Sequence, residues 1–270
     1  NCNSTPFHTT TGPENPNPER YPASMGIEDP EMMTNRALRA NELFGGDESI
    51  TEEEFYAYKH DWCYSEQSRA AAFRAEILGA VKEEDPIIQK ALKVLRGWDL
   101  KADPENTGTA VAVLTMEPVV RAEMFGKPVP DPVEIFKERV QELHDTYGRV
   151  DVPWKQVNRL VRGDLQLGVG GGPDLLRCIY GDWNGQYLSA VAGDCYVLMV
   201  TWDADGTVRS RSIHQYGSAT QRPDHPHYDD QAHLFVKEEM KPTFLNKEEL
   251  LANVKLRYTP GENVWNVLAR

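Results

Sequence analysis

The chain has 270 residues, with 29 Lys and Arg against 42 Asp and Glu, a formal net charge of −13. Charged residues at 26% and hydrophobic residues at 40% suit a globular chain and exclude collagen, coiled coil and wholesale disorder. The longest apolar run, Cys195 to Val200, is six residues, where a bilayer span needs about 20, and the acidic balance argues against non-specific nucleic-acid binding.

Taken in chain order, Asn1 to about Pro30 reads as an extended, proline-punctuated loop. It opens on Asn without a signal-peptide pattern, which reads as a cut into a longer reading frame or a chain released by proteolysis. From Pro30, the apolar positions Met33, Ala37, Ala40, Leu43 and Phe44 fall at helical spacing and stop at Gly45-Gly46. Ser49 and Thr51, each followed three residues on by Glu52 or Glu54, are overlapping capping-box signals for a helix or two reaching about Leu78. Asp85-Pro86 and Asp131-Pro132 each predict a helix start by the N-cap and first-position proline rule, and Gly148 predicts the end of the second. Between them, Thr107 to Phe125 is apolar enough for a buried helix kinked or broken near Pro118.

The pattern then changes. Trp154 to Arg162 reads as one short helix, followed by a glycine-rich flexible connection from Gly168 to Gly172. Gln186 to Ile213 reads as strands, with Tyr196–Trp202 and Val208–Ile213 joined by a hairpin turn at Asp203 to Gly206. Two late helices are expected at His227–Glu239 and Asn246–Val254. The whole is an α+β chain, with a helix-rich first half and a strand-containing second half.

Several local motifs admit chemical readings. The glycine run lacks both the strand–GxGxxG–helix order of a dinucleotide site and the Lys-Ser/Thr of a phosphate loop. His225, His227 and His233 with Asp224, Asp229 and Asp230 could offer nitrogen and oxygen ligands to a divalent metal in a metal-dependent hydrolase; they equally suit a turn and a helix N-terminus. Cys2, Cys63, Cys178 and Cys195 show no close CxxC spacing. Cys2 could act as a nucleophile only if Asn1 were trimmed, since an N-terminal thiol can use its own amine as base.

Two blocks are more specific. Asn1-Cys2-Asn3-Ser4-Thr5-Pro6-Phe7 resembles the Asn-x-Asn-x-x-Pro segment of the β chain in the penicillin acylase family of N-terminal-nucleophile amidohydrolases. Arg36 and then Ile50-Thr51 follow in the family's order. Near the far end, Tyr216-Gly217-Ser218, His225-Pro226-His227-Tyr228-Asp229-Asp230-Gln231, Leu234-Phe235 and Lys241-Pro242-Thr243-Phe244 resemble the family's closing block, in wording closer to the acyl-homoserine-lactone and aculeacin acylase branch.

The resemblance implies that residues 1–270 are the C-terminal portion of one β-chain domain within an αββα sandwich: 1–30 an active-site loop, 31–165 a helical layer, 166–270 strands and closing helices. It implies hydrolysis of the amide of a small N-acyl substrate through an acyl-enzyme on an N-terminal Ser not present in this segment, which alone would be inactive. The family's oxyanion-hole Asn falls on Asn3 and its site-orienting Arg on Arg36. The bland alternatives are an Asx-turn before Pro6 for Asn3 and a solvated helix charge for Arg36. The missing upstream part of the acylase, an α chain and the N-terminal part of the β chain, is the implied partner, and a periplasmic or secreted location is implied likewise. No cofactor is implied; calcium occurs in the family, but its ligands find no match around Tyr21 to Asp29. The alternative is a non-catalytic domain of acylase architecture that binds an acyl ligand or a partner.

Overall fold

The computed structural model describes residues 2–8, 10, 12–25, 33–219, 221–254, 257 and 259. Pro30 to Met32, the expected opening of the first helix, and Gly26 to Asp29, part of the stretch read for calcium ligands, lie outside these residues.

After single 3-10 turns at Pro18–Arg20 and Ala23–Met25, the helices begin where short-range donors and acceptors dictate. Thr34 caps α1 (Asn35–Phe44) by accepting from the Ala37 N–H. Thr51 and Glu54 close a reciprocal capping box on α2 (Glu52–Lys59), and Ser68 caps α3 (Arg69–Ala80), so the expected segment is two helices. Asp85 and Asp131 each accept from two amides at the starts of α4 (Pro86–Gly97) and α6 (Pro132–Tyr147). Between them runs α5 (Thr109–Met124), continuous through Pro118. An interior proline forfeits one hydrogen bond and disfavours the helix by about 3 kcal/mol. Burial of Ala110 to Leu114, Met116 and Val119 among α3, α4 and α6 outweighs that penalty.

The chain turns to strands earlier than its sequence suggests. The expected helix over Trp154–Arg162 is one turn only, α7 (Trp154–Val157), and Asn158–Arg162 is strand β1. It pairs antiparallel with β2 (Leu165–Gly168) across Gly163-Asp164, with Gly163 at φ +58°. The strand pairs with β2 on one side, and Leu160 is buried in the core between the sheets and α8. Strands β3 (Ile179–Trp183) and β4 (Leu188–Gly193) complete a sheet of order β2-β1-β4-β3, in which β1 and β4 run parallel. The predicted hairpin forms as β5 (Tyr196–Trp202) and β6 (Val208–His214). After a helix α8 restricted to Ala232–Val236, short strand β7 (Lys241–Pro242) joins β6, and α9 (Lys247–Asn253) follows. The expected helix over His227–Glu239 is thus cut to its middle, because residues 225–231 run through successive turns closed by their own backbone bonds.

Helices and strands therefore form an α+β arrangement with two cores. One lies among α3 to α6 and takes in Trp154, Leu175 and Leu188; the other joins both sheets to α8 through Leu160, Ile179, Ala190, Val197, Ile213 and Phe235. Among the described residues no helix is long and apolar enough to cross a membrane.

Gly168 to Gly172 is not the flexible connection that its composition suggests. Val169 to Gly172 are buried, and the run is tied down by the Gly171 N–H to Ala102 C=O (2.9 Å) and by Trp154 Nε1–H to Gly171 C=O (2.7 Å). Gly171 sits at φ +85°, and a Cβ there would lie 2.3 Å from the Arg177 carbonyl oxygen. Gly171→Ala is therefore expected to destabilise by at least about 2 kcal/mol, from backbone strain and steric overlap together. Urea unfolding measures it, and a loss under ~0.5 kcal/mol would show that the run yields.

Candidate active site

Cys2 is pinned to the start of α1. Thr34 Oγ1 donates to the Cys2 carbonyl at 2.7 Å, and Thr5 and Phe7 are buried, Phe7 against the Tyr21 ring. This sets Asn3, at φ +56°, beside the second residue of α1. Asn tolerates that left-handed conformation better than most residues.

Arg36 Nη1 donates to Asn3 Oδ1 at 2.9 Å, and its Nε donates to Asp174 Oδ1 at 3.1 Å. The two residues singled out in the sequence are thus in direct contact, and Arg36 is an ion-paired side chain with 21% exposure, not a solvated helix charge. A guanidinium carries only donors, so Asn3 must turn its carbonyl oxygen toward Arg36 and its NH2 away.

Asp174 is the member that sequence reasoning did not find. Its Oδ2 accepts from the Asn35 N–H at 2.7 Å, and its backbone carbonyl accepts from Asn35 Nδ2 at 3.0 Å. The Asn35 Oδ1 in turn takes the Ser65 N–H at 2.8 Å. The one signal was Pro173-Asp174 closing the glycine run, which says nothing of a contact 138 residues away.

Burial is the largest influence on both charged partners, and it works against each charge. For Arg36, the hydrogen bond and charge of Asp174, with smaller contributions from Cys178 and Tyr180, outweigh it, so the pKa stands above the ordinary value. For Asp174, burial outweighs the donors of Asn35 and Arg36 and lifts the carboxyl above its usual range. The two directions pull apart, and the contacts decide for the ion pair: both carboxylate oxygens meet N–H donors, which the ionised form satisfies. On its other side Asp174 walls an apolar cavity of about 300 Å³ with Tyr64, Met116, Val120, Pro173 and Tyr180.

The histidine block does not assemble a metal centre. His227 Nδ1 lies 2.7 Å from Asp230 Oδ2, and the His225 and His227 rings are 5.3 Å apart. Among the described residues no three His, Cys, Asp or Glu side chains gather as a metal would require. Cys2, Cys63, Cys178 and Cys195 are all free thiols; burial pushes Cys63 up to about 11 and raises Cys178, which leaves both poor nucleophiles.

A second polar cluster lies under α8. Arg177, 1% exposed, faces Asp194 and Glu238, and Lys59 Nζ bonds Asp194 Oδ2 at 2.8 Å. Next to it, buried His60 donates Nδ1–H to the Tyr56 carbonyl at 2.9 Å. Burial drives its pKa down to about 4, helped by the positive Arg177 and Lys59 and opposed by the Tyr56 bond and Asp194. Unfolded, His60 titrates near its ordinary 6.5, so between those values the unfolded chain binds more protons. Stability is then whole above pH 6.5 and falls as the pH drops toward 4, by up to about 3 kcal/mol. His60→Gln should flatten that part of the pH–stability curve; an unchanged slope in urea titrations at pH 7 and 4.5 would remove His60 as its source.

The penicillin amidase family profile matches residues 1–252. No curated protein sequence matches the chain significantly. Among solved structures, the thermostable penicillin G acylase from Alcaligenes faecalis is similar over 92% of this chain, at 11% identity and a TM-score of 0.41. The chain spans about half of that enzyme's chain, 54%.

Proposed function

The chain belongs to the penicillin amidase family, and on that premise we propose that it supplies the oxyanion-stabilising side of an amidohydrolase site. In this reading residues 1–270 are the C-terminal part of one β-chain domain, with a site loop to about residue 30, a helical layer to about 165, and strands and closing helices beyond. The upstream part of the acylase completes the enzyme and brings an N-terminal Ser, outside this segment, as nucleophile. The substrate is a small N-acyl amide of β-lactam side-chain, acyl-homoserine-lactone or lipopeptide type, met in the periplasm or outside the cell. The segment by itself is inactive.

Attack of that hydroxyl on the amide carbonyl gathers negative charge on the carbonyl oxygen. The Asn3 NH2, aimed away from Arg36, donates to that oxygen as the charge develops, without reorganising at the moment of reaction. A preorganised donor of this kind is worth roughly 3–4 kcal/mol of barrier. Arg36 contributes through orientation, because it forbids the flipped amide that would present an oxygen to the oxyanion. The observation that supports the reading most directly is the 2.9 Å bond from Arg36 Nη1 to Asn3 Oδ1, which joins two positions 33 residues apart.

Denaturing intact mass and N-terminal sequencing of natively purified material, assayed for amide cleavage, test it. A longer β chain beginning with Ser, or a companion chain, is the expected result. Folded material of these 270 residues alone that binds N-acyl compounds and cleaves none would replace it with the binding-domain reading.

A further inference from the structure

We propose that Asp174 is the positioning residue of this site: its carboxylate locks the Arg36 guanidinium so that the guanidinium, in turn, locks the Asn3 amide. The inference rests on the assignment of Asn3 as oxyanion donor.

The geometry gives Asp174 two tasks with one side chain. Oδ2 takes the Asn35 N–H in the first turn of α1, and Oδ1 takes Arg36 Nε. The carboxylate is thereby fixed to the helix that carries Arg36, and it fixes the plane of the guanidinium relative to that helix. A free arginine loses rotamer entropy when it is held. Pinning Nε removes most of the remaining freedom, and Nη1 is then directed at Asn3. Without that hold Arg36 can swing and Asn3 can flip, which would turn its carbonyl dipole against the developing charge.

The backbone around Asp174 is over-determined in the way that such a role requires. Tyr64, fully buried, donates its hydroxyl to the Pro173 carbonyl at 2.9 Å, and the Gly172 N–H bonds the Arg177 carbonyl at 3.2 Å. Together with the Asn35 side chain, these hold Asp174 at φ +57°. Described non-glycine residues with positive φ are Asn3, Leu100, Asp174 and Glu238, so two of the four lie in this one chain of contacts. Strained backbone that persists because its surroundings force it concentrates at functional sites.

A purely structural Asp174 would serve α1 alone. Asp174→Asn separates the two roles, since asparagine accepts the left-handed conformation and keeps an oxygen for the Asn35 N–H while losing the charge that grips Arg36. In the assembled enzyme, Asp174→Asn is expected to lower kcat about tenfold to a hundredfold, the scale of an ångström-sized misplacement, with KM changed less than about threefold. In an Arg36→Ala background the same substitution should change kcat less than about twofold, because the partner through which it acts is gone. Asp174→Glu keeps the charge and is expected to lose less kcat than Asp174→Asn; it also serves if the asparagine variant fails to assemble, kcat intact within twofold then counting for the ion-pair role. Effects of Asp174→Asn and Arg36→Ala that multiply, or an Asp174→Asn enzyme with unchanged kcat where Asn3→Ala is crippled, would overturn the inference and leave the Asn3 reading standing. An Asn3→Ala enzyme with full kcat would instead overturn that reading, and this one with it.

Discussion

Asn3→Ala in the assembled enzyme is expected to lower kcat by about a hundredfold or more while leaving KM within about threefold. The loss falls on kcat because the amide hydrogen bond is worth little to a neutral carbonyl and much to an oxyanion, so its removal raises the barrier without weakening the ground state. Asn3→Asp should be at least as damaging. Its oxygen can still face Arg36, but the atom aimed at the reacting carbonyl becomes an acceptor bearing negative charge. Asn3 is exposed, so the melting temperature should fall only slightly, mainly from holding alanine or aspartate at φ +56° and, in Asn3→Ala, from losing the Arg36 bond. Steady-state kinetics on an N-acyl amide, normalised by titration of the acylated nucleophile, gives the result. A kcat within threefold of the parent would show that the oxyanion is held by other groups.

Arg177→Ala is expected to destabilise the fold by about 3–5 kcal/mol, the range for removing one partner from a buried ion pair. Arg177 Nη1 lies 3.3 Å from Asp194 Oδ2, Nη2 donates to the Phe235 carbonyl at 2.6 Å, and the guanidinium carbon stands 4.0 Å from the Phe235 ring centroid. Glu238, which takes Trp62 Nε1–H at 2.7 Å, is 3.5 Å from Nε, and burial already lifts its carboxyl above the ordinary value. Deleting the guanidinium leaves Asp194 and Glu238 with Lys59 as the remaining cation of this cluster, together with an unmatched carbonyl and a cavity beside Phe235. Pairing Arg177→Ala with Glu238→Gln should recover part of the loss, because the second change removes the charge that the first strands. A loss under ~1 kcal/mol in urea unfolding would mean that water enters and solvates the cluster.

The helical half was legible residue by residue where the signals act over three or four positions. Thr51 with Glu54, Asp85 with Pro86 and Asp131 with Pro132 each became the cap that their spacing predicted, because a capping side chain and the amides it serves are neighbours in the chain. The Asp203–Gly206 turn was legible for the same reason. The extension of α7 through Arg162 was not. Trp154 to Arg162 has helix-compatible residues throughout, and the chain leaves the helix at Val157 into a strand that pairs both with the neighbouring β2 and, through Asn158 and Arg159, with Leu188 and Ser189 some 30 residues on. For the histidine block, local spacing offered both a ligand set and a turn, and the packed chain forms the turns without drawing three ligands together.

Sequence alone determined the starts of α2, α4 and α6, the principal hairpin, the α+β composition and, through the Asn-x-Asn and Pro-His-Tyr blocks, the family and the two residues worth watching. Tertiary structure decided what those residues touch. The contact of Arg36 with Asn3, the 138-residue reach of Asp174 to Arg36, and the gathering of Lys59, Arg177, Asp194 and Glu238 are long-range polar contacts. Capping and turn preferences are written in neighbouring residues because the atoms that satisfy them are neighbours. A buried charge finds its partner only after helices and sheets have packed, and which carboxylate that is depends on where the whole fold sets it down.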